Sequence, residues 1–432
     1  MIILTRIQPF LSLLLGAVLL PASAIAGIEP GHLSDALENA ESGETLELEP
    51  GLFKGHYRID TSLTLQGSPG TLIDGNGKGT ILTIAAPDVA VKQLLLRNSG
   101  SNLTDLDAAI FIEGSGRNTH IQANHIRAQG FGVWIDEAPD VLIERNRITG
   151  NTSIRSQDRG NGIHLHHVNG AMIRDNTVCQ ARDGIYINVS NNNTLAGNRL
   201  CNQRYGIHYM YSNSNTVRNN RSWGNRTGYA LMQSTKLNVI GNRAEDDKGY
   251  GFLLNYITDS VLRDNTAIDI KASTAPGSER SIEGGEGKAL FIYNSQQNRI
   301  HDNTFARTAI GIHMTAGSEN NEIHGNALIS NRTQVKYVAT RAQEWSRNGR
   351  GNYWSDYMGW DIDGDGIGDT PHEPNDAVDR ILWTYPMARV LMNSPAVALM
   401  RWVQSAFPIL SPRGVKDSHP LMHRPDKQEQ QP

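Results

Sequence analysis

Asn176-Thr177-Val178-Cys179 followed by Gly184-Ile185-Tyr186-Ile187, and Asn198-Arg199-Leu200-Cys201 followed by Gly206-Ile207-His208-Tyr209, are two copies of one motif. Its asparagine recurs at Asn124, Asn146, Asn176, Asn198, Asn220, Asn242, Asn265, Asn303 and Asn326, with spacings of 22, 30, 22, 22, 22, 23, 38 and 23 residues. Gly132, Gly162, Gly184, Gly206, Gly228, Gly251 and Gly311 keep nearly the same register. A fixed period of this length marks a stacked repeat. The apolar runs alternate over only a few residues, which is strand patterning, and no window of the repeat sustains a helical period. The expectation is an all-β chain wound as a right-handed single-stranded parallel β-helix, the hand following the general rule for parallel crossovers. Rungs stack ~4.8 Å apart, so equivalent residues lie over one another. An inward asparagine can donate to one neighbouring rung and accept from the other. It also satisfies turn backbone and tolerates the left-handed conformation.

Two spacings break the register and locate insertions. One lies near Gly150–Gly160 and carries Arg155, Asp158 and Arg159; the other lies near Asp269–Gly287 and carries Lys271, Glu279, Arg280, Glu283 and Glu286. In solenoids such insertions become loops on one face, either a binding face or a tolerant surface.

The chain has 432 residues and a net charge of −4, which gives no support for a nucleic-acid partner or a polybasic membrane surface. Arg6, an apolar run from Phe10 to Leu20 and the small residues Ala22-Ser23-Ala24 read as a secretory signal peptide over residues 1–24; the competing reading, a retained membrane anchor, wants a longer apolar core than this one. Cleavage after Ala24 or Ala26 places the mature protein in the periplasm. Leu33, Ala36, Leu37 and Ala40 have helical spacing and predict an N-terminal helix capping the open edge of the first rung. The β-helix is expected over residues 25–340, an Asp-rich loop region over 341–380, and an apolar helix tract with a non-repeat tail over 381–432.

Cys179 and Cys201 hold equivalent points of adjacent rungs. They are a disulfide candidate in an oxidising compartment, or a reduced pair for a soft metal. Asp361, Asp363 and Asp365 alternate ahead of Gly366, like the first half of a Ca²⁺ loop, and Asp369 is a further oxygen donor. His372 stands where an EF-hand needs glutamate, so the loop is either a partial Ca²⁺ site or a turn of solvated aspartates.

The second and fourth residues after each repeat glycine should face outward. They include His164 and His166, Tyr186 and Asn188, His208 and Met210, and Ala230 and Met232. Thioether beside imidazole suits Cu(I), so His164, His166, His208, Met210 and Met232 are candidate copper ligands. The same residues could instead form a docking patch, or a surface with no metal role. Asp105, Asp107, Asp136, Glu137, Asp158 and Asp183 occur near the early rungs and are not expected to repeat on one outward face as the His and Met do. No catalytic constellation emerges from them.

Asn352-Tyr353-Trp354-Ser355-Asp356-Tyr357 and the Asp-rich loop, behind a β-helix array, look like carbohydrate-binding/sugar-hydrolase-type repeat proteins in general. The tail narrows this. An apolar tract from Ala388 to Leu410, then Phe407-Pro408, Gly414-Val415, Asp417 and Pro420-Leu421-Met422, resembles the NosD family of nitrous-oxide-reductase maturation proteins. That resemblance implies a periplasmic accessory protein rather than an enzyme. It also implies an ABC transporter (permease and ATPase), a copper-carrying lipoprotein and apo nitrous oxide reductase as partners, with copper as transient cargo. The alternatives are a polysaccharide-binding or uronate-modifying β-helix protein, and a purely structural adaptor. The tract carries Met387, Met392 and Met400 and, with the tail through Met422, is expected to dock on the transporter; the alternative is that it folds back over the solenoid's open C-terminal end.

Overall fold

A computed structural model describes residues 27–272, 286–339, 341–391, 394–406 and 414–425. The expected signal peptide, Glu279, Arg280 and Glu283 of the second insertion, and Phe407-Pro408 lie outside these residues.

Three strands per turn build three long parallel sheets of 12, 13 and 12 strands. In each sheet every strand pairs with the strand three places on in the chain, so each turn adds one strand to every sheet. The fold is an all-β parallel solenoid. Two-residue periodicity explains its core. In Tyr205–Met210, Ile207 and Tyr209 point into the lumen, fully buried, whereas His208 and Met210 lie on the outer face. Apolar residues from Leu46 to Trp354 form one continuous column of this kind.

The asparagine ladder runs along one inner corner. Asn176 and Asn198 are both fully buried, and the Oδ1 atom of Asn198 accepts from the backbone N–H and the Nδ2 of Asn176, both at 3.0 Å. The Nδ2 of Asn198 donates in turn to the carbonyl of Ile173 at 2.8 Å on the preceding turn and to Asn220 at 3.0 Å on the next. The residue in the left-handed conformation is not the ladder asparagine but the one before it. Ala123, Arg145, Asp175, Asn219, Asp264 and Asp302 all have φ between 54° and 59°. At Gly197 the same corner uses glycine, and an added Cβ would come within 2.5 Å of Asp175 Oδ1.

The N-terminal helix spans Leu33–Glu38 and buries Leu33 and Leu37 against the first turn. At the other end the solenoid runs past residue 340. Asn352 continues the ladder, accepting from Asn326 at 2.9 and 3.0 Å, and Tyr353–Trp354 adds a last strand to the second sheet. The tail segment returns to this end, the alternative to docking for residues 414–421. Val415–Lys416 pairs in parallel with Gln343–Glu344, and Leu421 bridges to Tyr353 and Ile367. The buried, stacked rings of Trp345 and Trp354 plug the core. A last strand has unpaired backbone and apolar edges, and the tail supplies both partners.

The tract between forms helices over Ala377–Thr384, Pro386–Leu391 and Pro395–Ala406. Asp376 and Asp379 close a reciprocal capping box at the start of the first. Asn375 ties this start to the third sheet through the carbonyl of Val335, 2.7 Å away. Among the described residues no helix is long and apolar enough to cross a membrane.

Candidate functional site

The outer face of the third sheet carries the candidate copper residues in two columns fixed by strand register. One runs Trp134, His164, Tyr186, His208, Ala230. The other runs Asp136, His166, Asn188, Met210, Met232. Met210 and Met232 are therefore direct neighbours, and His208 lies beside Met210 on the same strand face. His164 and His208 are two turns apart, and the Tyr186 ring separates them, 4.6 Å from the first and 4.5 Å from the second. His166 is likewise two turns from Met210.

Outward does not mean exposed here. His164 and His208 are 6% and 8% accessible. Trp134 packs its ring 3.8 Å from that of His164, and Tyr205 presents its edge to His208 at 4.9 Å. His166, Met210 and Met232 are half-buried.

Carboxylates join this face, contrary to the expectation that none collects there. Asp183 immediately precedes Gly184 and is 1% accessible. Its Oδ2 accepts from His208 Nδ1 at 2.9 Å, and Arg204 binds both its oxygens at 2.8 and 2.5 Å. Burial pushes the Asp183 carboxyl up, but the hydrogen bonds from Arg204 and His208 outweigh it and hold it below the ordinary range. Asp136 sits 2.7 Å from His166 Nδ1. Both carboxylates engage Nδ1, which leaves Nε2 of each imidazole for another partner. Counting the fourth residue after Gly132 yields Asp136 by the rule that yields His166. Asp183 required extending the alternation to the residue before the glycine.

His164 differs. Its Nδ1 lies 3.3 Å from Asn161 Nδ2, while its Nε2, Trp134 Nε1 and Asn161 Oδ1 are buried without a partner. Buried polar atoms left unpaired mark a place where water or another group belongs. Burial, reinforced by the charge of His166, lowers the His164 imidazole to about 3, so it is neutral.

Among the described residues, only Asp361, Asp363 and Asp365 form a group of three histidines, cysteines or acids with ligand atoms all within 4.8 Å. His164, His166 and His208 thus make no closed cage. The Asp361 carboxylate accepts from the N–H groups of Gly364, Asp365 and Gly366, and Asp369 accepts from Ile362 N–H at 2.7 Å. Cys179 and Cys201 are register partners on the second sheet, with Cα atoms 4.6 Å apart and sulfurs bonded.

Imidazoles, thioethers, the buried Asp183 and the half-buried Asp136 thus share one face of the solenoid in a half-open row, the form of a binding surface. Residues 144–359 match the family model described as "Periplasmic copper-binding protein (NosD)". A "Probable ABC transporter binding protein NosD" of Pseudomonas aeruginosa is 55% identical over 410 residues, 95% of each chain. Its namesake in Stutzerimonas stutzeri is 52% identical over 95% of this chain and 94% of its own. The chain belongs to the NosD family, whose names describe binding proteins. A family 28 exopolygalacturonase of Yersinia enterocolitica matches 72% of this chain and 75% of its own with a TM-score of 0.54, but at 11% identity it shares the fold alone.

Proposed function

We propose that this chain receives or passes copper during assembly of the copper centre of nitrous oxide reductase. It works in the periplasm with an ABC transporter and a copper-carrying lipoprotein, and apo nitrous oxide reductase is the client. The observation that carries this reading is the pairing of Asp183 with His208 and of Asp136 with His166 on the face that holds Met210 and Met232. Metal-ligating histidines characteristically give their second nitrogen to a carboxylate, which fixes the ring and raises its basicity. Two adjacent thioethers add softness suited to Cu(I). An open row of donors permits ligand exchange, which a closed four-ligand cage resists. Copper is cargo here, held transiently.

The helical tract over 377–406 supplies the transporter contact. It exposes Tyr385, Met387, Val390 and Trp402, with Met387 and Val390 each 84% accessible. Apolar surface of this kind marks an interaction site. Its first helix begins beside the third sheet, and Trp383 lines a cavity there with His313 and Lys336. Asp361, Asp363, Asp365 and Asp369 would hold a structural Ca²⁺, and Cys179–Cys201 would remain oxidised after export.

The exported protein, purified anaerobically, tests the copper reading. Parent protein should bind Cu(I), and a Met210→Ala/Met232→Ala variant should lose it and fail to support client maturation. Normal maturation by that variant, at unchanged protein level and with transporter binding intact, would exclude this face as the copper route.

A further inference from the structure

The second sheet carries a different chemistry. Register places His125, Arg147, Thr177, Arg199, Arg221 and Arg243 in one outer column. Arg127 lies beside its head, in the column that continues through Thr149 to the disulfide. Five arginines on one strip is notable in a chain of net charge −4. Arg221 and Arg243 share Glu245, at 3.0 and 2.9 Å. Arg127, Arg147 and Arg199 are exposed, and none has a carboxylate partner among the described residues. Like charges stacked on neighbouring rungs repel, so such a strip lacks an internal reason to exist.

The head of the strip is concave. A cavity of about 640 Å³ is lined by His125, Arg127, Arg147, Gln129, Thr149 and Asn151, and no acidic residue lines it. Its wall, Gly150 to Thr152, opens the insertion that breaks the repeat between Asn146 and Asn176. Burial, then the charges of Arg127 and Arg147, lower the His125 imidazole, as expected where the local field is positive.

The geometry points to a docking strip for an acidic polypeptide segment, whose first carboxylate enters the cavity at Arg127 and Arg147 and whose later ones meet Arg199 and beyond. Guanidinium groups bind carboxylates through two parallel hydrogen bonds, which favours arginine at such a surface. Length decides against a small anion as the whole occupant. From Arg147 to Arg243 there are four rung steps, or ~19 Å at ~4.8 Å each. An extended segment of about six residues covers that distance. A single phosphate or citrate fills only the mouth. This surface is separate from the copper face.

Calorimetric titration of the full exported chain with N-acetyl hexaglutamate tests the proposal, with citrate, inorganic phosphate and hexagalacturonate as competitors for the role. Hexaglutamate should bind. Its affinity should fall at least tenfold in Arg127→Gln/Arg147→Gln and severalfold in Arg199→Gln, and should drop as salt is raised. Thermal melting of each variant should match the parent, since these side chains are exposed. No hexaglutamate binding, binding unchanged by Arg199→Gln, tighter binding of citrate or phosphate, or tighter binding of hexagalacturonate would each overturn it.

Discussion

Asp417 closes the asparagine ladder at Asn352. Its Oδ2 accepts from the Asn352 backbone N–H at 2.7 Å, from the Trp354 indole N–H at 2.7 Å and from Asn352 Nδ2 at 3.3 Å. A residue 65 positions away thus does for the last turn what the next asparagine does for every other. Asp417 is fully buried, and its carboxyl is pushed up by burial. Replacing it with alanine leaves several buried donors unpaired, at ~1–3 kcal/mol each. Asp417→Ala should lower the melting temperature and abolish hydrogen-exchange protection around 345–357 and 415–421. Protection across Asn146–Asn242 should persist, because solenoid turns are stabilised by their neighbours.

A second buried carboxylate predicts a pH effect of known sign. Asp247 is 0% accessible and accepts from Asn225 N–H at 2.8 Å and Ser222 Oγ at 2.9 Å. Burial outweighs these bonds and raises its carboxyl to about 8. The folded state therefore holds this proton more tightly than the unfolded chain. The resulting stability is complete below the ordinary carboxylate range and is lost as pH rises through about 8. Asp247→Asn should remove that decline, so that the variant melts higher than the parent at pH 9. Equal slopes for the two proteins between the ordinary carboxylate range and about pH 8 would contradict this account.

His164 has the opposite sign. Its folded imidazole is depressed to about 3, so its contribution is present above the ordinary histidine range and disappears as pH falls toward about 3. Substituting His164→Phe should flatten the acid limb of a stability–pH curve without touching the alkaline limb.

The Asp183 carboxylate should tune the imidazole it holds. Asp183→Asn keeps the size of the side chain but removes the charge that orients His208 and pairs with Arg204. Loss of such a supporting partner typically costs 10–100-fold in metal affinity. Competition titration against a Cu(I) chelator should show a decrease of that order. The same substitution should also destabilise the fold by a few kcal/mol, because Arg204 loses a buried partner. Unchanged Cu(I) affinity would detach this pair from metal handling.

The exposed helical tract makes a separable prediction. Met387→Ser with Val390→Ser should leave the melting temperature within about a degree, since both side chains are 84% accessible and surface substitutions cost within ~0.5 kcal/mol. Transporter co-purification should be lost. A folded variant that still co-purifies would place the contact elsewhere.

Calcium can be tested directly. Added Ca²⁺ should raise the melting temperature of the parent, as any ligand bound only by the folded state does. Asp361→Asn/Asp363→Asn should abolish the rise.

The period of about 22 residues and the two-residue alternation were enough to determine the solenoid, its lumen, its ladder and the adjacency of Met210 with Met232 and Cys179 with Cys201. These follow from sequence because register in a stacked repeat converts equal spacing into contact. The repeat could not show what lies beyond one rung's own alternation. Tyr186 stands between His164 and His208, and Asp183 reaches His208 across a turn; both depend on how large side chains pack against each other on a face. The burial of two nominally outward histidines has the same origin, because the rings of Trp134, Tyr186 and Tyr205 pack against them. The tail was the least legible part. Residues 414–421 have no repeat to set their register, and their place is decided by an unpaired last strand and an open ladder, which exist only once the chain has wound to Trp354.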